Sequence, residues 1–252
     1  MMTKMKVGLQ LYTLRDELER DFEQTLQRVA ELGYEGVEFA GYYGYGPEQL
    51  RELMDRLSLK TVSTHVNVNR LRHHLDEELA MSAALGNLFA VCPGIAASER
   101  MPLPEAAAFF EACGERFAEQ GITFGFHNHW IEFTETHEGD RWFDAFFGLI
   151  SPDYLKSELD VCWVAHGGCD PVEYIRKYAG RVPLIHLKDM RKSPAGEVET
   201  VELGRGDMDL PAVLEAAEAA GTEWLIVEQD DCAGPALESV RISREWLRER
   251  GY

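Results

Sequence analysis

The chain has no G-x-G-x-x-G after its first apolar strand, where it reads Tyr12-Thr13-Leu14-Arg15. A dinucleotide seated at a helix N-terminus needs that glycine turn, so an open nucleotide-binding sheet loses its main support. Cysteine is scarce, with 5 residues and no C-x-x-C spacing. That pattern argues against a structural zinc site or a disulfide framework and for a reducing, cytoplasmic compartment. No apolar run approaches the roughly 18 residues of a membrane span. The opening MMTKMKVGLQLY has no apolar h-region and no small-residue cleavage site, so it reads as the start of a strand rather than a signal peptide. Positive charge is also short: 25 Lys and Arg stand against 44 Asp and Glu, a net charge of −19. So acidic a chain repels phosphate backbones, which excludes a nucleic-acid partner unless a metal mediates the contact. No Pro/Gly/Ser-rich linker divides the 252 residues, so one domain over 1–252 is expected.

What is present is a repeating alternation. The stretch Leu155–Asp189 contains two short apolar strands, Leu155–Leu159 and Val182–Leu187, around one amphipathic helix. Asp170-Pro171 reads as that helix's N-cap and first residue, and Gly180 as its stop. This is a βαβ unit, and it implies parallel strands. The same rhythm recurs as ELGYEGVEF, ALGNLFAVC, EQGITFGFH and AAGTEWLIVE, with a glycine past a helix end and then a strand. It predicts strands at 6–11, 36–39, 60–65, 87–92, 122–127, 155–159, 182–187 and 224–227. Helices are predicted at about 21–32, 75–85, 104–120, 141–150 and 237–250, among others. Sustained alternation over this length predicts one closed (β/α)₈ TIM barrel. Phe109, Phe110, Cys113 and Phe117 form an apolar stripe that belongs to the core. Gly204-Arg205-Gly206-Asp207 reads as a mobile loop, with Arg205 a minor candidate for substrate contact.

Strand C-terminal ends in such a fold face one opening, where active sites lie. Here they carry Glu38, His65, the run HNHWIEF at 127–133, Asp160, His186, Lys188 and Glu228. Converging acids need a cation or shared protons. The most economical metal set is Glu132, Asp160, His186 and Glu228. Three carboxylates and one imidazole make an oxygen-rich site for Mn²⁺, Mg²⁺ or Co²⁺.

The runs GFHNHWIEF, ELDVCWVAHGGCDP, RVPLIHLKD and IVEQD resemble the sugar phosphate isomerase/epimerase superfamily. This is the xylose isomerase-like TIM barrel group that includes ketose 3-epimerases, inosose dehydratases and endonuclease IV. The resemblance is strong from strand five to strand eight and weak before it. It implies a Glu–Asp–His–Glu metal site that maps directly onto Asp160, His186 and Glu228. The first Glu departs from the pattern, because Gly125 stands about where ketose 3-epimerases carry it. Glu132 is its substitute in the HNHxxEF branch, with His127 or His129 as the alternative ligand. The resemblance implies one divalent ion, manganese first, with Mg²⁺, Co²⁺ or Zn²⁺ as alternatives.

The chemistry expected of such a site is proton abstraction next to a carbonyl, through an enediolate. Glu132 and Glu228 are the expected acid–base pair, one for each face. Glu38, His65, His127 and His129 are expected on substrate hydroxyls, Trp163 on a sugar face and Lys188 on an enediolate oxygen or a carboxylate. A sugar isomerase or epimerase acting on a small sugar or polyol, with a homo-oligomer as one allowed assembly, is the leading expectation. A lyase that loses a β-hydroxyl after the same proton abstraction comes next. A DNA-repair enzyme or a non-catalytic metal binder ranks lower, and no phosphate cradle is visible.

Overall fold

The computed structural model describes residues 4–193 and 197–252. Its barrel strands are β1 (Lys6–Gln10), β2 (Gly36–Phe39), β3 (Lys60–Thr64), β4 (Phe89–Cys92), β5 (Thr123–His127), β6 (Lys156–Asp160), β7 (Leu184–Leu187) and β8 (Trp224–Val227). All pair in parallel, in the order β3-β2-β1-β8-β7-β6-β5-β4. The ends of this sheet meet through a bridge between His65 and Val91, supported by a Val66 N–H to Val91 C=O bond of 2.7 Å. The eight strands therefore make a nearly closed (β/α)₈ barrel with helices between them.

Residues alternate along each strand between the lumen and the helix-facing core. In β7, Ile185 and Leu187 join the outer core, while Leu184 packs inside with Val62, Phe89, Val91, Trp224 and Ile226. That inner cluster plugs the lower lumen. The strands crowd there, and a Cβ on Gly36 would lie 2.6 Å from Val62 Cγ2 and 2.8 Å from Lys60 O. Above the plug the same lumen-facing positions turn polar. Asp160 and His186 are direct partners in the β6–β7 register, as are Gln10 and Glu38 in β1–β2.

The expected helix at about 21–32 is Phe22–Glu31, and a further short helix, Arg15–Arg20, precedes it. Asp21 ends the short helix and caps the longer one, accepting from Gln24 N, and an extended capping residue breaks a helix. The segment between β6 and β7 likewise holds two helices, Val161–His166 and Pro171–Lys177, each with an aspartate N-cap. Two hairpins sit outside the barrel, pairing 136–137 with 140–141 and 189–192 with 198–201. The glycine-rich 204–207 segment is tied down rather than loose. The buried Asp189 carboxylate accepts from the amides of Met190, Gly204, Gly206 and Met208. Arg205 turns to Glu202, so its role as a substrate contact finds no geometric basis.

Candidate metal and active site at the barrel mouth

The polar layer is built from residues two apart on successive strand ends. His127 and His129 leave β5, Glu158 and Asp160 end β6, His186 and Lys188 end β7, and Glu228 and Asp230 follow β8. Period-2 alternation points both members of each pair toward the barrel axis. Two overlapping groups result, His65–His127–Glu158–His186 and His127–Asp160–His186–Glu228. In each group the ligand-type atoms lie within 4.8 Å of one another.

His186 joins the two groups. Its Nδ1 is 2.9 Å from Glu228 Oε2, and its Nε2 is 2.8 Å from Glu38 Oε1 and 3.2 Å from Glu158 Oε2. His65 Nε2 stands 2.9 Å from Glu38 Oε1 and 3.0 Å from Glu158 Oε2. Glu38 is further anchored by Gln10 Nε2 at 2.5 Å and by the Ser63 hydroxyl. On the upper side, Lys188 Nζ lies 2.9 Å from Asp160 Oδ2, 2.7 Å from Glu228 Oε2 and 3.0 Å from Asp230 Oδ2. Glu38, Glu158, Asp160, His186 and Lys188 are essentially inaccessible to solvent.

So many buried acids around one ammonium draw protons. Burial raises the pKa of Asp160 and of Glu158, and for Glu158 the neighbouring Glu38 charge adds to the rise. Burial alone would lower the pKa of His186, yet Glu158, Glu38 and Glu228 push it well above the usual histidine value. Glu38 and Glu228 stay ionised despite burial, held low by His65 and His186 in one case and by Lys188 and His186 in the other. A divalent cation would replace those protons as the balancing charge. Other features fit it too. Burial holds His127 neutral, the state in which imidazole ligates, and its Nδ1 makes no hydrogen bond. Glu158 Oε1 is buried and also has no hydrogen-bond partner. The His/Glu/Asp cluster can therefore hold a metal ion.

Of the expected ligands, Asp160, His186 and Glu228 come together and Glu132 does not, among the described residues. Glu132 lies on the short helix Ile131–Thr134, and its Oε2 accepts from His129 N at 2.9 Å. It faces a separate cavity of about 120 Å³ with Arg100, Met101 and Trp142. A side chain turned back to cap its own turn cannot also reach the barrel axis. Of the two alternative ligands, His127 joins the cluster where Glu132 was expected, and His129 is not among its members. Glu38, expected on a substrate hydroxyl, is instead sealed beneath the cluster. Trp163 packs beside the site, its ring 6.2 Å from that of His129 and 5.3 Å from Lys188 Nζ. Glu158, Asp230 and Gln10 are part of the arrangement but were not singled out in sequence. The i, i+2 spacing to Asp160 and to Glu228 was the available signal for the first two.

The mouth opens into a cavity of about 730 Å³. His65, His127, His129, Lys188, Glu228 and Asp230 line its inner end, and Tyr12, Tyr42 and Met81 lie on its walls. The model of the xylose isomerase-like TIM barrel family matches residues 26–250. The chain belongs to that family. Inosose dehydratase of Geobacillus kaustophilus (strain HTA426) is 24% identical over 267 residues, 89% of this chain and 86% of the relative. A sugar phosphate isomerase/epimerase from Parabacteroides distasonis ATCC 8503 superposes with a TM-score of 0.82 at 26% identity, covering 99% of this chain and 95% of its own. An IOLI protein solved with a zinc atom superposes with a TM-score of 0.78 at 15% identity, over 97% of each chain, a likeness of fold alone. Membership of this family supports a sugar-modifying enzyme. Among the described residues no helix is long and apolar enough to cross a membrane.

Proposed function

We propose that the protein is a divalent-metal-dependent lyase that removes water from a keto-sugar or keto-polyol after taking the proton next to its carbonyl. His127, Asp160, His186 and Glu228 would hold the ion, with Glu158 adjoining them. When bound, the ion supplies a Lewis acid that acidifies the C–H beside a carbonyl. Manganese suits the mixed carboxylate–imidazole set, and Mg²⁺, Co²⁺ and Zn²⁺ are the alternatives.

The observation that carries the lyase reading is the arrangement of one base and one acid around the cavity. Against burial, the Lys188 ammonium keeps Glu228 ionised, as a general base must be, and the ion would take the place of the His186 charge. Three strands away around the barrel, His65 faces the same cavity. Burial would lower its pKa, but the Glu38 and Glu158 carboxylates raise it to about 10, so it carries a proton to give. Glu228 takes the α-proton, the C–H electrons form a C=C bond, and the β-hydroxyl leaves as water with a proton from His65. Lys188 holds charge on the carbonyl oxygen. Epimerisation through the Glu132/Glu228 pair would need a second base from the other face, and Glu132 sits in another cavity. The dehydratase name of the Geobacillus relative points the same way.

Isomerase or epimerase chemistry is the second reading, favoured by the Parabacteroides likeness and by Asp230, a further carboxylate on the cavity wall. The metal-loaded protein should be incubated with inososes and keto-sugars in D₂O and followed by NMR. A vinylic product with loss of water supports the lyase. Stereochemical inversion with deuterium incorporated supports the second reading, and no exchange with any ketone would sink both.

A further inference from the structure

The cavity is too large for a single sugar ring. A hexose has a dozen non-hydrogen atoms and displaces about six waters of ~30 Å³ each. The cavity measures about 730 Å³, within the roughly 300–1,000 Å³ that drug-sized ligands occupy. The carboxylates and imidazoles of the site line only its inner end. The outer end lies between the segment after β2 and the helices Val68–His73 and Leu75–Leu85.

Two kinds of surface meet there. Tyr42, Val66, Met81 and Pro93 give this chamber an apolar wall, while the Tyr42 hydroxyl is buried away from it beside Thr64. Tyr12 stands at the rim, 44% exposed. Its position is set from beneath by Arg15, whose guanidinium lies 4.4 Å from the Tyr12 ring and donates to Tyr12 O and Asp230 O. Beside the apolar wall lie Arg70, Glu77 and Glu78, the two carboxylates one helical turn before Met81. Arg70 Nη2 is 2.9 Å from Glu77 and its Nε 2.6 Å from Glu78.

We infer that this outer chamber is a subsite for a second, uncharged sugar ring, so that the substrate is a keto-disaccharide or a like glycoside. A pyranose has an apolar face for the tyrosine–methionine wall and a hydroxyl edge for the carboxylates. A purely aromatic ring would cover the Arg70–Glu77–Glu78 edge without offering its charged groups a hydrogen bond. A phosphorylated ring would meet an arginine already neutralised by two carboxylates, within a chain of net charge −19. The inference rests on the carbonyl chemistry proposed for the inner end, but the subsite stands or falls on binding alone.

The test uses ordinary glycosides, which carry no ketone and undergo no reaction. Binding of methyl β-glucoside, phenyl β-glucoside, cellobiose, maltose and trehalose to the metal-loaded protein would be measured by calorimetry and saturation-transfer NMR. At least one disaccharide is expected to bind tenfold or more tightly than the methyl glucoside and to show saturation transfer to both rings. Met81→Trp, which fills the chamber, should erase that advantage. Far-UV circular dichroism and one metal ion per chain would show that this barrel is intact. Glu77→Ala, which removes an exposed carboxylate from the polar edge, should reduce the disaccharide advantage severalfold and gives a second reading should Met81→Trp not fold. Disaccharides within threefold of the methyl glucoside, or no binding by any of them, would overturn the subsite. A phenyl glucoside that outbinds every disaccharide would overturn the sugar assignment in favour of an aromatic aglycone. Deuterium exchange failing with every ketone would instead count against the proposed chemistry while leaving these affinities as they are.

Discussion

At the scale of single residues, the main departure from expectation is Glu132, whose carboxylate caps the His129 amide. Side chains proposed to hold an ion and one that shapes a turn should respond differently to substitution. Asp160→Asn combined with His186→Ala should abolish metal binding and activity while the helical signal persists. Glu132→Gln should keep one ion per chain and lose less than about tenfold in rate, since the amide oxygen can still accept from His129 N–H. Equilibrium dialysis with metal analysis separates the two, and loss of the ion in the Glu132 variant would return that residue to the ligand set. Glu228→Gln keeps the size and an oxygen donor but removes the base. It should cost on the order of 10²–10⁴ in turnover, the usual worth of general acid–base catalysis. Metal affinity should fall less than in the Asp160/His186 double variant. Near-normal turnover would move the base to Asp230 or to a histidine.

Between elements, two buried or half-buried aspartates join segments distant in sequence. Asp189 gathers four backbone amides from the 189–208 hairpin and glycine loop. Asp189→Ala leaves those donors without their carboxylate and should cost on the order of 3 kcal/mol. For a chain of this size that is about 6–12 °C in melting temperature, and a shift under 2 °C would show that the loop re-forms its bonds elsewhere. Asp144 links the helix Trp142–Leu149 to Pro171–Lys177 through Lys177 Nζ at 2.7 Å and the hydroxyls of Tyr178 and Tyr174 at 2.7 and 3.0 Å. Burial raises its pKa, but those partners outweigh it and leave the pKa below the ordinary aspartate value. A depressed folded pKa adds stability that is present above the unfolded pKa of about 3.9 and is lost as pH falls through the folded value. Asp144→Asn should therefore lower the urea midpoint at pH 7, and the gap from the parent should close as pH falls through and below the ordinary aspartate range. A gap unchanged across that range would mean that packing rather than charge is what the substitution removes.

For the whole molecule, the polar layer concentrates buried acids at one end of the barrel, and folding brings them together. A cation that binds only this folded arrangement should stabilise it by mass action, by about 2.7 kcal/mol at a hundredfold excess over Kd. Mn²⁺ should then raise the melting temperature by roughly 5–10 °C, and EDTA should reverse the rise. Calorimetric scans with and without metal check this, and an unmoved midpoint at saturating Mn²⁺, Co²⁺ and Zn²⁺ would argue against a metal site. The acidic surface and Arg70, already paired with two carboxylates, both disfavour charged phosphates, which agrees with a neutral polyhydroxylated substrate.

The alternation of strands and helices was legible in the sequence because the signals are local. Gly86 and Gly221 stop helices in the left-handed conformation, Asp170-Pro171 starts one, and the apolar strands lie within a residue or two of where their patterns put them. Asp160, His186 and Glu228 were legible for the same reason: each sits at a strand end, and parallel strands aim their ends at one mouth. Glu158 was passed over because it lies inside its strand, although its side chain shares the lumen with that of Asp160 two positions on. Glu38 and Glu132 could not be placed from sequence. A bulge between Val37 and Glu38 and a carboxylate turned back onto His129 N–H are settled by what surrounds each side chain. Local backbone chemistry determines the elements and which strand ends carry acids and imidazoles. Only the closed barrel decides which of them share one small volume, because their distances depend on strand register and side-chain direction, and neither is local in sequence.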